Sequence, residues 1–193
     1  MKPVIFVLGL SGAGKTHTSK VLGEEYLLLH IDIDRTGGGF ARAGFPGEWD
    51  EDVSRVDFAI LAAGVRMQVT DEYQGAILSF PTTYVFSREQ LDVASRHGVS
   101  TVVLWGTLEH CMEARREREE KRGKTFYPNR YLRKNTPTFD TYRSAEYDEF
   151  KVAAFQLDGY RPSRETLLSL VLERLANQGI ELTASTAFGT RYR

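Results

Sequence analysis

The sequence predicts an α/β protein of three layers, a five-stranded parallel sheet covered by helices on both faces. Three observations carry that prediction. Five short apolar bursts alternate with longer helical patterns along the 193 residues. The bursts are apolar almost throughout, as strands buried on both faces are. The chemically distinctive stretches all fall at strand carboxyl ends, where open parallel sheets place their functional loops.

Taken in order, "VIFVLGL" (4–10) reads as a buried strand, and a helix follows over about 15–22. "YLLLHIDID" (26–34) is a second strand that ends in acid. A polar, glycine-rich loop, "RTGGGFARAGFPGEWDE", leads to a long amphipathic helix at about 51–72. "GAILSF" (75–80) is the third strand, followed by a helix over 87–97. "VSTVVLWG" (99–106) is the fourth, running into a charged helix over about 108–122. The segment 123–137 is polar, basic and aromatic, with two prolines. A short helix (138–149), a fifth strand "KVAAFQLD" (151–158) and a last helix (163–176) complete the pattern, and 177–193 reads as a loose tail. A single domain is expected over 1–176, with an insertion at about 115–137.

Composition narrows the function classes. With 41% hydrophobic and 26% charged residues the chain has the make-up of an ordinary globular protein. A net charge of −1 gives no global basic field for nucleic acid or a membrane surface, so any basic site is local. Cys111 is the sole cysteine, which precludes an intrachain disulfide and fits a reducing, cytoplasmic setting. The start is a strand pattern rather than a signal peptide, and "LLSLVL" is far too short to span a bilayer.

Between the first strand and first helix stands "GLSGAGKT", which matches G-x-x-x-x-G-K-[ST] in its required setting. Glycines let successive backbone N–H groups converge on phosphate oxygens, and the next helix points its positive end at the same anion. The expected nucleotide-binding set is Gly9, Ser11, Gly12, Ala13, Gly14, Lys15, Thr16 and His17. Lys15 would reach the β- and γ-phosphates, and the Thr16 hydroxyl would bind Mg²⁺.

Exclusion gives the loop a direction. A GTPase needs D-x-x-G after its third strand and N-K-x-D later; "DRTG" follows the second strand, and N-K-x-D is missing from the sequence. A motor-type ATPase needs an acid closing an apolar strand, and "AILSFPTT" closes without one. What remains is a small kinase, whose metal-assisting acid ends the second strand. Asp32 and Asp34 stand two apart there and share a face. Asp32 would hold Mg²⁺ through its water shell, and Asp34 would orient the attacking hydroxyl. Arg115, Arg118 and Arg122, spaced 0, 3 and 7, share one helix face. From Arg115 to Lys134 nine lysines and arginines stand against three glutamates, an imbalance that suits a lid over a polyphosphate.

On these residues the chain resembles the P-loop small-molecule kinases, and among them the shikimate-kinase-like group. The likeness rests on the P-loop, the D-x-D of Asp32 and Asp34, the three lid arginines and "RSAEY" (143–147), and covers about residues 1–175. The resemblance implies a P-loop NTPase fold with a helical lid, and transfer of the γ-phosphoryl group of ATP, with Mg²⁺, to a hydroxyl of a small metabolite. It implies that Arg115 stacks on adenine, that Arg122 works on the transferring phosphate and that Arg143 contacts the acceptor. It also implies that "DGYRPS", with Arg161 and Pro162, lines the adenine pocket. A second likeness, to polynucleotide and nucleoside 5′-kinases, is carried by Asp32 and Arg35, where Arg35 would bind an acceptor phosphate; nucleic acid is expected only as such a 5′-hydroxyl acceptor. A non-catalytic ATP-binding regulator is the alternative from another class.

The departures lie on the acceptor side. Shikimate kinases carry a triple glycine after strand three, where this chain reads "SFPTT", and "RGKT" replaces the R-P-L-L of their lid. The acceptor region is expected over about 35–72, with Arg42, Trp49, Arg55 and Arg66 as candidate anion contacts or stacking surface. Phe126, Tyr127 and Tyr131 are either substrate-closing residues or a small core of the lid itself.

Overall fold

The computed structural model describes residues 1–33 and 39–185. Its elements are β1 (Val4–Gly9), α1 (Lys15–Glu25), β2 (Leu28–Asp32), α2 (Gly39–Arg42), α3 (Glu48–Glu51), α4 (Phe58–Gln68) and β3 (Gly75–Ser79). They continue with α5 (Arg88–Arg96), β4 (Val99–Trp105), α6 (Leu108–Glu120), α7 (Pro128–Tyr142), β5 (Lys151–Ala153) and α8 (Arg164–Ala176). The five strands pair in parallel in the order β2-β3-β1-β4-β5, the expected architecture.

The central strand shows why an unbroken apolar run was needed. Every residue of β1 is buried. Val4, Phe6 and Leu8 face one core with Phe40, Phe58, Phe80 and Phe86, while Ile5 and Val7 face the other with Val21, Leu22, Cys111 and Val171. The first core is strongly aromatic: Phe6 meets Phe80 edge-on at 4.8 Å, and Phe80 meets Phe86 at 5.4 Å.

The structure corrects several sequence boundaries. The single helix expected over 51–72 is divided into α3, a 3₁₀ turn at Val53–Arg55 and α4. Two aspartates cut it: Asp52 accepts from Ser54 N at 2.9 Å, and Asp57 accepts from Ala59 N and Ile60 N at 2.9 and 3.0 Å. The segment 123–137 contains the first two-thirds of α7, which opens on Pro128 at its first turn and continues through Pro137. The helix expected over 138–149 is the end of α7 followed by a 3₁₀ turn at Ala145–Phe150. The fifth strand is three residues long, because the chain turns back at Gln156, whose N–H donates to Tyr160 O at 2.7 Å.

Residues 177–185 are packed rather than loose. The Gln74 side chain donates to Thr183 O at 2.5 Å and accepts from Thr183 N at 3.2 Å, while Ser185 N donates to Glu25 O at 2.8 Å. Arg66 holds the same amino end of the sheet: its guanidinium donates to the carbonyls of Lys2, His97 and Gly98. That places it at the end opposite the functional loops.

Candidate active site

The loop after β1 has the backbone of an anion cradle. Gly12 has φ of +98°, and a Cβ there would lie 2.0 Å from Cys111 O, so no larger residue fits. Gly14 (φ +100°) forms the left-handed entry to α1. Four other helices, α4, α5, α6 and α8, begin under side-chain oxygens of Asp57, Ser87, Thr107 and Ser163. The start of α1 has no side-chain cap and no acid in its first turn, which leaves its amides for an anion. Lys15 lies back along the loop, its Nζ donating to Gly9 O and Leu10 O at 2.9 and 3.0 Å.

The loop is fixed from two sides. Below, Arg161 donates through Nη1 to Ala13 O at 3.1 Å and through Nη2 to Gly12 O, with its guanidinium 4.7 Å from the Phe155 ring centre. Burial pushes the Arg161 pKa below its ordinary value. Above, α7 crosses the loop. Tyr131 OH donates to Ser11 O at 2.7 Å, and Asn135 Oδ1 accepts from Ser11 N at 2.8 Å. The same Oδ1 accepts from Thr82 Oγ1 at 3.0 Å, and Thr138 Oγ1 donates to Thr82 O at 2.6 Å. Asn135 and Thr138 are each 1% exposed.

A cavity of about 370 Å³ opens between the loop, the segment after β3 and the α6–α7 pair. Its size is that of a small-ligand site. Five cations line it, Lys15, Arg115, Arg118, Arg130 and Lys134, against one carboxylate, Glu119. Arg115 pairs with Glu119 at 2.9 Å, and Arg118 stands 4.0 Å from the same oxygen. Fields of one sign in a walled cleft concentrate ions of the opposite sign, which suits polyphosphate.

Many of the residues singled out from sequence converge on this cavity. Ser11, Gly12, Gly14, Lys15, Thr16, His17, Arg115 and Arg118 all line it. Ala13 is fully buried just beneath. Asp32, at the end of β2, stands opposite Ser79 of β3, which stands opposite Val7 of β1. Two strand spacings, about 10 Å, therefore separate Asp32 from the strand leading into the loop. Thr16 and Asp32 supply hard oxygen donors of the kind Mg²⁺ takes, and Mg²⁺ uses few protein ligands alongside substrate phosphates. Among the described residues no cluster of three or more His, Cys, Asp or Glu could hold a metal by itself. Asp34 and Arg35 lie outside the described residues.

Other expected residues are not brought to the cavity. Arg122 does not continue the face of Arg115 and Arg118, because α6 ends at Glu120 and the chain reverses at Gly123 (φ +66°). The N–H groups of Gly123 and Lys124 cap Glu120 O and Glu119 O at 2.9 Å each, leaving Arg122 exposed outside the cavity lining. Arg143 ends α7, exposed, 3.6 Å from Asp140, and Arg42 is exposed on α2; neither lines the cavity. Arg161 grips the P-loop backbone, and Pro162 faces a shallow surface hollow with Phe155 and Leu170. Trp49 is 3% exposed between Phe40 and Phe45, so its ring belongs to the core. The lid aromatics are the exception: Phe126, Tyr127 and Tyr131 all line the cavity, and Phe126 and Tyr131, with rings 5.9 Å apart, also pack against the second core, while Tyr127 stays 60% exposed.

The sequence reading missed Arg130, Lys134, Asn135 and Thr82 as individual site residues. The spacing of Arg130 and Lys134 was a usable signal, since i and i+4 share a helix face, but it requires α7 to start at Pro128. Asn135 and Thr82 carried no sequence signal, because their partners lie 124 and 53 positions away.

No protein-family model and no curated protein matches the chain. Solved structures do. A gluconokinase from Sinorhizobium meliloti 1021 is 20% identical, with 92% of each chain covered and a TM-score of 0.54. A sugar kinase from Janibacter sp. HTCC2649 is 18% identical, covering 91% of this chain and 95% of that one at a TM-score of 0.55. The shikimate kinase of Aquifex aeolicus is 17% identical, covering 92% and 98% at a TM-score of 0.53. At these identities the likeness is one of fold, and the fold is that of the P-loop small-molecule kinases.

Proposed function

We propose that this chain is an ATP-dependent phosphotransferase that carries the γ-phosphoryl group to a hydroxyl of a small metabolite. The observation that carries the reading is the cavity itself. An uncapped helix start, a P-loop and four lid-side cations converge where β1 and β3 lead their following loops apart. Structural neighbours that are gluconokinase, sugar kinase and shikimate kinase support the same class of acceptor.

In this reading the loop amides and Lys15 hold the β- and γ-phosphates, and Arg115 and Arg118 close over the nucleotide from α6. Thr16 would bind Mg²⁺ directly and Asp32 would hold its water shell; the metal neutralises phosphate charge and shapes the triphosphate. Asp34 would orient the acceptor hydroxyl and take its proton. The cation on the transferring phosphate is assigned to Lys134 and Arg130. Both line the cavity from α7, and neither has a carboxylate within 4.0 Å among the described residues. Arg122 would join them only through movement of the α6–α7 turn. Catalysis is then orientation and electrostatics, with water excluded by the lid.

A panel of hydroxyl compounds, including sugars, shikimate, nucleosides and 5′-hydroxyl oligonucleotides, screened for acceptor-dependent ADP release tests the proposal. One acceptor should stimulate release at least tenfold above the basal rate, and Lys15→Ala should abolish it in a folded protein. Tight nucleotide binding with slow hydrolysis that no acceptor alters would refute the phosphotransferase and favour a nucleotide-gated regulator.

A further inference from the structure

We propose that Asn135 is a positioning residue, a strut that transmits nucleotide occupancy of the P-loop to the acceptor wall after β3. The proposal rests on the phosphotransferase reading and adds to it a mechanical link between the two substrate sites.

The topology places the strut. In the order β2-β3-β1-β4-β5 the chain leaves β1 toward β2 on one side and leaves β3 toward β4 on the other. The loops after these adjacent strands therefore diverge and form the two lips of a crevice. Ser11 belongs to the nucleotide lip and Thr82 to the other. One oxygen, Asn135 Oδ1, accepts from Ser11 N at 2.8 Å and from Thr82 Oγ1 at 3.0 Å, and so spans both lips.

Its neighbours on α7 reinforce the span. Tyr131 OH takes the Ser11 carbonyl at 2.7 Å and Thr138 Oγ1 takes the Thr82 carbonyl at 2.6 Å. Both backbone groups of Ser11, and both the hydroxyl and carbonyl of Thr82, thus end on one helix. Asn135 itself is secured by its amide, which donates to Tyr131 O at 2.9 Å. The row Tyr131, Asn135, Thr138 follows the i, i+4, i+7 spacing of one helix face, and all three residues are buried.

Burial makes the link stiff. A buried polar group that loses its partner keeps the full desolvation cost, so neither lip can move away from Asn135 cheaply. An anion that draws the loop amides inward fixes Ser11, hence Asn135, hence Thr82. Ordering passes from one lip to the other without either substrate touching both.

Hydrogen exchange with Mg·ADP as the probe tests this without any knowledge of the acceptor. In the wild type, Mg·ADP should slow exchange in the P-loop and also over residues 80–86, where Phe80 N, Tyr84 N and Phe86 N are hydrogen-bonded. Thr82→Val removes only the hydroxyl arm and keeps the shape. Compared at saturating Mg·ADP, it should retain P-loop protection, while the nucleotide-induced protection over 80–86 falls at least tenfold. Thr82→Ser, which keeps the hydroxyl, should restore it. Asn135→Ala should behave as Thr82→Val does where it folds. Retained protection over 80–86 in Thr82→Val, or protection confined to the P-loop in the wild type, would overturn the strut alone. A wild type in which Mg·ADP protects nothing would overturn the nucleotide reading and the strut with it.

Discussion

Replacing Arg161 separates two roles that the sequence and the structure give it. As a residue lining the adenine pocket it would touch only the nucleoside; as a clamp it would act on every phosphate ligand through the loop. Its guanidinium donates to Ala13 O at 3.1 Å and to Gly12 O, and rests 4.7 Å from the Phe155 ring centre. Hydrogen bonds from a charged donor contribute about 1.5–3 kcal/mol each. The guanidinium is part-buried against the loop while the rest of the side chain meets solvent, so the low end applies, and two bonds amount to about 3 kcal/mol. Arg161→Met keeps an unbranched chain against Phe155 and removes both donors. A loop released in this way must be reordered before it binds an anion. About 1.4–2.8 kcal/mol of that cost should appear as a ten- to hundredfold rise in Kd.

Titration calorimetry with two ligands, Mg·ATP and Mg·tripolyphosphate, reads the difference. The clamp predicts the same fold-loss for both, because both depend on the ordered loop and only one carries a base. It also predicts partial recovery in Arg161→Lys, which keeps the charge and one donor direction at a time. A loss for Mg·ATP with unchanged tripolyphosphate binding would refute the clamp and return Arg161 to the adenine pocket. Unchanged affinity for both ligands would refute any role in the site.

Lys134→Met should weaken the β,γ-imido analogue of ATP about tenfold and leave ADP within twofold, while Arg122→Met should leave both unchanged; the reverse ranking would return the γ-phosphate to the turn. Trp49→Ala should lose about 3–5 kcal/mol in urea unfolding, and Trp49→Phe much less, since the ring meets Phe40 edge-on at 5.4 Å inside the core. An alanine variant of full stability would remove Trp49 from the packing account. Burial pushes the Cys111 thiol up to about 12, with the charges of Lys15 and Arg161 opposing the shift. The neutral form is thus favoured in the fold, so this contribution is intact below the thiol's ordinary 9.0 and is lost as pH rises toward about 12. At pH 8 Cys111 should ignore a disulfide reagent until the chain unfolds, and prompt labelling of the native protein would contradict its burial.

The fold was legible because its signals are local and repeated. A strand covered on both faces must be apolar almost throughout, as β1 is and as β4 is apart from Ser100 and Thr101, and each such run declares itself within seven residues. The P-loop was equally plain, since its chemistry is done by consecutive backbone amides and one lysine. Errors collected where local signals conflict. Asp52 and Asp57 look like the polar face of one helix but act as caps that divide it. Pro128 and Pro137 argue for a loop, yet Pro128 stands in the first turn of the helix, where an N–H has no intrahelical partner to lose.

The candidate site divides along the same line, and the division bears on what the lid can do. Arginines three apart on α6 reach the cavity as periodicity says, whereas the third, four residues on, falls past a glycine reversal that periodicity does not see. The cations on α7 became legible only once the helix was known to begin nine residues before Pro137. Asn135 was not legible at all, because a buried amide has meaning only through partners brought together by the sheet order. Those partners show that the expected insertion over 115–137 is no freely hinged flap. Its second helix is tied to the P-loop at Ser11 and to the β3 lip at Thr82. Any closure over the nucleotide would then come from the segment between α6 and α7, residues 121–127, which carries Lys121, Arg122 and Lys124, all exposed. An Arg122 that reaches the phosphates would do so by folding this short turn inward over a cavity whose walls are already set.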